Sequence, residues 1–352
     1  MTLSKKNVIK TITICLVVIV IVMFVRSGFL NFIGIGNTST SAIDEYSDYY
    51  LEQTNKEPKN SSIKVTFYGT TMFLLDDGQT KLLFDAFITR PSIGIAARSF
   101  FDRPLIETDR ELLDTWLSRP EVGKPEAVFI AHSHHDHAMD VAYVAEKTGA
   151  RVYGSESTLN IARGGDIPED KLSRYNLGKE LIFNDFSVTI LPGRHALNPD
   201  PLPDDRGMLI LEPLRQPAKL LDYVEGGAFD FLIKHGDHSI LIKGHTYIPE
   251  VLDNIQADVL FLSVSPLAAE DLQSPDIFYD QTVGKVMPKL VIPAHWDQFF
   301  QPLNDHLVPL NEDDLRTSFD FLIKRLTDDG VQFGIMQGYQ SIMLFGDDGY
   351  PA

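Results

Sequence analysis

Cysteine is nearly absent from this sequence of 352 residues, and the single one, Cys15, lies in an apolar stretch near the N-terminus. A disulfide framework within the chain is therefore excluded, and so is a zinc site built from cysteine ligands. Any metal in the rest of the chain must be held by histidine, aspartate or glutamate side chains.

Positive charge is also scarce, since 31 lysines and arginines stand against 49 aspartates and glutamates, leaving a formal net charge of −18. The field of such a chain repels phosphate backbones, so we expect no nucleic-acid partner and no broad docking on an anionic bilayer. A local cation such as a bound metal can override a distant acidic surface, so the net charge does not restrict the substrate.

The N-terminus carries an uncharged apolar run, Thr11–Val25, between Lys10 and Arg26, and a second apolar patch follows over residues 27–36. A membrane-spanning helix needs about 20 apolar residues, and flanking lysine and arginine side chains can reach the interface. We predict that residues 1–36 are a membrane anchor. A cleaved signal peptide is the alternative, although the nearest approach to a cleavage site is Gly34-Ile35-Gly36.

Lys5, Lys6 and Lys10 precede the apolar run. Because lysine-rich flanks stay in the cytoplasm, we expect a single-pass protein with a cytoplasmic N-terminus and its catalytic domain on the outer face of the membrane. Signal cleavage would instead give a secreted protein. Residues 37–61 are polar and are interpreted as a tether, and residues 62–352 form the domain.

The domain is predicted to open with antiparallel strands and to continue with strands that alternate with helices, an order that occurs twice. This order predicts an α+β fold, an αββα sandwich with two sheets inside and helices outside. Helical spacing of apolar residues is found over Thr108–Leu117, Val141–Thr148, Ile277–Val286 and Leu315–Leu326.

A histidine-rich motif, His132-Ser133-His134-His135-Asp136-His137, follows the apolar strand Ala127–Ala131. In an extended or looped segment, residues two apart point to the same side, so His132 and His134 can chelate one metal. Asp136 and His137 come next, at the start of a helix, and are placed to serve a second metal. The pattern is too specific for a solvated polar loop, which is the competing interpretation.

With this motif the sequence resembles the metallo-β-lactamase superfamily, in the branch that contains lactonases and N-acyl-phosphatidylethanolamine phospholipase D. The resemblance includes Val65–Gly69, the strand Leu82-Leu83-Phe84-Asp85 and the order of the later histidines, and it covers residues 62–345. It implies the sandwich fold and a metal-dependent hydrolase. It also implies that His195 is the third ligand beside His132 and His134, and that His295 is the last ligand.

One position departs from the family's pattern. Where the family has a bridging aspartate, this chain has His245, in Gly244-His245-Thr246. A neutral imidazole offers one lone pair to one metal, whereas a carboxylate can bridge two. His245 is then a terminal ligand, a donor to the substrate, or a sign that the second metal site is weak. The resemblance places Asp85 beside the site, where it would accept a ring N–H from a ligand histidine; a strand-end turn is the alternative.

These residues predict a hydrolase in which a metal-activated hydroxide attacks an ester or a phosphodiester, while Asp136 orients that hydroxide or accepts its proton. The ligand types favour zinc, as one or two ions, and they also accommodate manganese or iron. We expect a small-molecule or lipid substrate. A lactonase-like hydrolase of small soluble substrates and a degenerate, non-catalytic metal-binding scaffold are the competing hypotheses.

The substrate pocket is expected in loops beside the metals. Residues 198–206 closely follow His195 and are interpreted as one wall. Arg206 is expected in a surface ion pair with neighbouring aspartates, and pairing with a substrate phosphate or carboxylate is the alternative. Residues 93–103 are interpreted as another wall, a membrane-facing lip or core. His235 and His238 are expected to be solvated in a hairpin turn.

Overall fold

The computed structural model describes residues 41–59, 61–99, 103–198, 202–244, 249–268, 274–347 and 349–351. The predicted membrane anchor, residues 1–36, lies outside them. So does His245, the residue that departs from the family's pattern. Within these ranges, no helix combines the length and the apolar character that are needed to cross a bilayer.

The strands are β1 (Ile63–Phe67), β2 (Phe73–Asp76), β3 (Lys81–Phe84), β4 (Leu105–Ile106), β5 (Ala127–Phe129), β6 (Arg151–Gly154), β7 (Leu172–Arg174), β8 (Glu180–Phe183), β9 (Phe186–Gly193), β10 (Ala218–Lys219), β11 (Ala228–His235), β12 (His238–Lys243), β13 (Val259–Ser263), β14 (Leu290–Ala294), β15 (Gln332–Phe333) and β16 (Ser341–Leu344). In the part of the chain that the structure describes, they form two seven-stranded sheets and one short ribbon, β10-β4. The first sheet has the order β16-β1-β2-β3-β5-β6-β7, and the second has the order β15-β14-β13-β12-β11-β9-β8.

The α-helices are α1 (Ile93–Arg98), α2 (Arg110–Leu117), α3 (His135–Ala138), α4 (Val141–Thr148), α5 (Glu156–Gly164), α6 (Pro275–Gln281), α7 (Val283–Val286) and α8 (Glu312–Asp329). The predicted helix over Ile277–Val286 is interrupted at Thr282, whose φ of −113° and ψ of −80° are not helical. Its hydroxyl donates to the Phe278 carbonyl at 2.6 Å, which occupies an acceptor at the end of α6.

The two sheets pack face to face over an aromatic core. Between ring centroids, Phe84 of the first sheet lies 5.1 Å from Phe231 of the second, and Phe73 lies 4.4 Å from Phe261. Alternate residues of the first sheet, such as Leu83, point the other way and pack beneath α2, α4 and α5. On the second sheet, α8 provides the outer layer. The predicted mixed fold of helices outside and sheets inside is therefore confirmed.

The segment predicted as a tether is partly folded onto this domain. Residues Ala42–Tyr49 form a 3₁₀ helix in which Ala42, Ile43 and Tyr46 are buried, and the Tyr46 ring lies 5.3 Å from Phe319 of α8. The tether prediction is wrong for these residues. The polar composition of the segment concealed a few apolar side chains spaced so that they cover the end of a helix.

The carboxyl ends of β5, β9 and β14 meet at one edge of the sandwich. Strand β14 is parallel to β13 and β12, and β9 runs in the same direction because two antiparallel pairings separate it from β12. His132, His195 and His295 follow these three strand ends closely. The topology thus brings distant parts of the chain to one edge.

Candidate metal centre

The first cluster at this edge consists of His132, His134 and His195, whose ligand atoms lie within 4.8 Å of one another. The Nε2 atom of His132 lies 3.0 Å from the Nδ1 atom of His134. The His195 ring is 4.7 Å from the His132 ring and 4.8 Å from the His134 ring, measured between centroids. The structure thus brings together the ring nitrogens of three histidines that the sequence analysis named.

The second cluster consists of Asp136, His137 and His295, which are all buried and whose ligand atoms also lie within 4.8 Å of one another. The Nε2 atom of His295 lies 3.3 Å from Nε2 of His137 and 3.2 Å from Oδ2 of Asp136. The rings of His132 and His137 are 3.8 Å apart. The two clusters are therefore adjacent and form one centre.

Hydrogen bonds on the outer side of three rings show that these residues fit a metal. His137 Nδ1 lies 2.8 Å from Asp85 Oδ2, His134 Nε2 lies 2.9 Å from Asp205 Oδ2, and His195 Nδ1 lies 2.6 Å from the Ala196 carbonyl oxygen. A neutral imidazole carries one N–H and one lone pair. Because each outer nitrogen faces an acceptor, we assign the N–H to it and the lone pair to the inner nitrogen, where a metal would bind.

Asp85 lies where it was predicted, beside a histidine of the motif. Besides facing His137, its carboxylate accepts the Ala131 N–H at 2.8 Å and the hydroxyl hydrogen of Thr71. It has the left-handed φ of 59°. Its own N–H donates to the Phe129 carbonyl at 2.7 Å, which helps to hold this uncommon backbone conformation.

His295 also has a left-handed backbone, with φ of 58°. Its N–H donates to the Thr70 carbonyl at 2.8 Å, and the Thr70 N–H donates to Asp297 at 2.7 Å. Asp297 forms a fully buried ion pair with Arg90, in which Nη1 and Oδ2 are 2.9 Å apart. Backbone strain at the strand end is thus supported by a buried network behind the second cluster.

Asp205 is a site residue that the sequence did not reveal. Its carboxylate faces His134 and also accepts the Glu225 N–H at 3.1 Å and the Asn198 side-chain amide at 2.9 Å. The one available signal was that Asp205 lies in the loop directly after His195. Its neighbour Arg206 pairs with Asp204 at 2.8 Å, which confirms the predicted surface ion pair.

Burial and neighbouring charges set the protonation of the centre. Burial, and to a smaller extent the nearby His134, lower the pKa of His195 to about 3. Burial raises the pKa of Asp136, but His137 and the hydrogen bond with His295 outweigh it and hold that pKa well below its usual value. Burial lowers the pKa of His295, but Asp136 outweighs it and the pKa is raised. The site therefore favours a neutral His195 and an anionic Asp136.

Four other histidines of the described residues lie outside the two clusters. One of them, His238, is half-buried, and its ring is stacked 4.2 Å from that of Phe345. His135, the spacer of the motif, is buried against Phe300, whose ring lies 5.9 Å away. His235 is buried at the opposite end of the sandwich, where its Nε2 is 3.1 Å from Asp77 Oδ2, so the prediction that it is solvated is wrong. His306 is exposed and lies 3.4 Å from Asp44.

Comparison with known proteins gives concordant matches. The profile of the metallo-beta-lactamase superfamily matches residues 65–261, more than half of the chain. A metal-dependent hydrolase from Pyrobaculum arsenaticum is 24% identical over 239 residues, which are 67% of this chain and 85% of that protein.

Two solved structures share the fold. The metallo hydrolase Igni18 from Ignicoccus hospitalis has 15% sequence identity and a TM-score of 0.51, over 81% of this chain and 100% of that one. A variant of the β-hydroxylase CmlA from Streptomyces venezuelae has 14% identity and a TM-score of 0.51, over 90% of this chain and 62% of that one.

The candidate metal clusters and the hydrolase relatives define a metal-dependent hydrolase. The chain belongs to the metallo-β-lactamase superfamily.

Proposed function

We propose that this hydrolase cleaves an ester or a phosphodiester with water as the nucleophile. The observation that carries the proposal is the pair of adjacent clusters, buried except for the half-buried His134, in which the lone pairs assigned to His134, His137 and His195 point inward. When bound there, a divalent cation such as zinc, manganese or iron supplies a Lewis acid and makes hydroxide available near neutral pH.

Ser133, the side-chain hydroxyl within the motif, is a poor alternative nucleophile. Its Oγ donates towards the Val224 and Glu225 carbonyls, at 2.7 and 3.1 Å, and so is directed into the loop beneath the motif. The only cysteine, Cys15, precedes the domain in the sequence. Attack by water is therefore favoured over a covalent intermediate on the protein.

Asp136 is the residue to which we assign the orientation of the attacking water. Its carboxylate lies within the second cluster, 3.2 Å from His295 Nε2 and 3.5 Å from His137 Nε2. Because its pKa is held low, it is a better acceptor of a hydrogen bond than a store for a proton. We therefore assign Asp136 to orienting the water for attack rather than to accepting its proton.

Membrane attachment through residues 1–36 is part of the proposal, with the domain on the outer face. It is supported by the apolar run Thr11–Val25 and the lysines before it. Extraction of membranes with alkaline carbonate tests the anchor: the chain should stay in the pellet. Release into the supernatant would contradict it.

The enzyme proposal is tested on the full chain in detergent, by elemental mass spectrometry after dialysis and by hydrolysis of bis(p-nitrophenyl) phosphate and p-nitrophenyl acetate. Bound metal with turnover supports it, and faster turnover of one substrate identifies the class. Asp136→Asn should abolish turnover, whereas His306→Ala, outside both clusters, should not. Absence of metal and of turnover after zinc, manganese or iron is supplied would overturn the proposal.

A further inference from the structure

Large apolar side chains are exposed together on one loop beside the metal centre. Met208, Leu209 and Leu211 are 52%, 56% and 76% exposed. Isolated exposed leucines are ordinary on a protein surface, but three within four residues at the rim of a site mark a contact surface.

The backbone of this loop is held against the domain. The Gly226 N–H donates to the Met208 carbonyl at 3.0 Å, and a Cβ at Gly226 would lie 2.0 Å from Ser133 Oγ, within the metal-binding motif. Ile210 is buried; its N–H donates to Ser157 Oγ and its carbonyl accepts from Asn160, at 2.9 and 2.7 Å. With Ile210 fixed inward, its apolar neighbours are presented to the outside.

The described chain begins at the same edge of the sandwich. The Ala42 N–H donates to Glu312 Oε2 at 2.6 Å, and Glu312 is the first residue of α8. Helix α8 follows directly on the segment after His295, and His306 of that segment lies 3.4 Å from Asp44. The predicted anchor therefore approaches the domain from the edge that carries the metal centre.

We infer that this edge faces the bilayer and that Met208, Leu209 and Leu211 insert into its hydrocarbon boundary. The inference rests on the proposed membrane attachment. Residues 37–40 alone separate the predicted anchor from Ser41, and four extended residues reach at most about 14 Å. An apolar surface of this kind enters the interface by roughly 5–10 Å. The net charge of −18 directs it to neutral rather than anionic lipid headgroups.

The test uses the full chain with Cys15→Ser and one new cysteine that carries an environment-sensitive fluorophore. Leu209→Cys labels the loop. Met287→Cys is the matched control, because Met287 is 62% exposed and precedes β14 at the opposite end of the sandwich. Both proteins are reconstituted in phosphatidylcholine vesicles, with and without a nitroxide on the lipid acyl chain.

We expect the nitroxide to quench the label at residue 209 severalfold more than the label at residue 287. Equal quenching of the two labels would overturn the inference. The inference would also be overturned if the label at residue 209 were shielded from aqueous iodide but not quenched by the lipid nitroxide, since that result would indicate a protein partner. Failure of the chain to float with the vesicles would overturn it together with the anchor. Hydrolysis of the soluble phosphodiester is measured in the same samples, so a failure of the enzyme proposal is seen separately.

Discussion

Asp205 Oδ2 lies 2.9 Å from His134 Nε2, and this contact joins the loop after β9 to the motif after β5, 71 residues earlier in the chain. The carboxylate is buried, and the N–H of Glu225 holds it from a third segment. His134 is thereby turned so that its Nδ1 lies 3.0 Å from His132 Nε2. The orientation of one proposed metal ligand thus depends on a residue far away in sequence.

Removal of this carboxylate should weaken metal binding at the first cluster. In Asp205→Ala, His134 loses the acceptor that fixes its N–H on the outer nitrogen, and we expect about a 10–100-fold loss of metal affinity. Competition with a chelating dye measures it. Asp204→Ala is the matched control, because Asp204 is adjacent and pairs only with Arg206 among the contacts described. Equal affinities of the two variants would contradict the prediction.

Asp85→Asn should remove one metal ion while leaving the shape of the site intact. With the amide oxygen kept on the Ala131 N–H, the amide nitrogen faces His137 Nδ1 and donates to it. The proton of His137 then moves to Nε2, where it occupies the lone pair that we assign to the second cluster. Elemental mass spectrometry should show about one ion fewer per chain than in the wild type.

Asp77→Asn is the control for this substitution. Asp77 also faces a buried histidine, His235, at 3.1 Å, but at the opposite end of the sandwich. Both variants should lose about 1–3 kcal/mol in the free energy of unfolding, measured by urea denaturation. Because Asp77, Asp185 and His235 could themselves hold an ion, the two variants are compared by turnover of bis(p-nitrophenyl) phosphate, which should fall only in Asp85→Asn. A parallel fall in both would mean that destabilisation, not the tautomer of His137, releases the metal.

The sequence predicted site residues that belong to one short motif and missed those that tertiary packing brings to the site. The motif after β5 is readable because its spacing alone directs His132 and His134 to one side, and β5 is apolar enough to be recognised as buried. His195 and His295 needed the family resemblance, since each is a single histidine at a strand end. Asp205 had no pattern at all, because its partner is determined by tertiary packing.

The sequence patterns also did not predict which side chains of polar segments are buried. His235, next to Gly236-Asp237, has the composition of a solvated turn, yet it is buried and paired with Asp77 from the other sheet. Ile43 and Tyr46 lie in a polar segment, yet they cover α8. In both cases the partner comes from a distant part of the chain, so no window of sequence contains the information.

Asp140 should make the protein less stable as the pH rises from about 4 to about 6. Its buried carboxyl accepts the Ile88 and Thr89 N–H groups, at 2.7 Å each, and burial raises its pKa from 3.8 to about 6. A raised carboxyl pKa means that the folded state binds the proton more tightly than the unfolded state in this window. Its contribution to stability therefore falls as the pH rises and is constant above pH 6.

Asp140→Asn has no such titration, so its stability relative to the wild type should increase by about 3 kcal/mol between pH 4 and pH 7, at about 1.4 kcal/mol per pH unit. Urea denaturation of both proteins in chelator, across this pH range, measures the difference. Asp166→Asn should show no such increase across this range, because the hydrogen bond from Arg215 lowers the pKa of Asp166, so that its titration falls below pH 4. A difference for Asp140→Asn that does not change with pH would refute the assignment.

Gly69→Ala should lower the free energy of unfolding far more than a Gly→Ala substitution at an unobstructed left-handed position. Gly69 has φ of +82°, and a Cβ there would lie 2.0 Å from Arg90 Nη2 and 2.6 Å from Asp297 Oδ2. These atoms belong to a buried ion pair, and separating such a pair costs about 3–5 kcal/mol. Gly149→Ala is the control, because Gly149 has φ of +77° with nothing within 4 Å of its Cβ position. It should cost only about 1 kcal/mol, measured by urea denaturation.

The same substitution should also loosen the second cluster. Asp297 accepts a hydrogen bond from the Thr70 N–H, and the Thr70 carbonyl accepts one from the N–H of His295. The backbone of His295 is strained, with φ of 58°. If Gly69→Ala displaces Asp297, His295 loses this support, and metal should be lost from the second cluster at chelator concentrations that leave the Gly149→Ala protein loaded. Similar stability and similar metal retention in the two variants would show that the Arg90–Asp297 pair does not support the site.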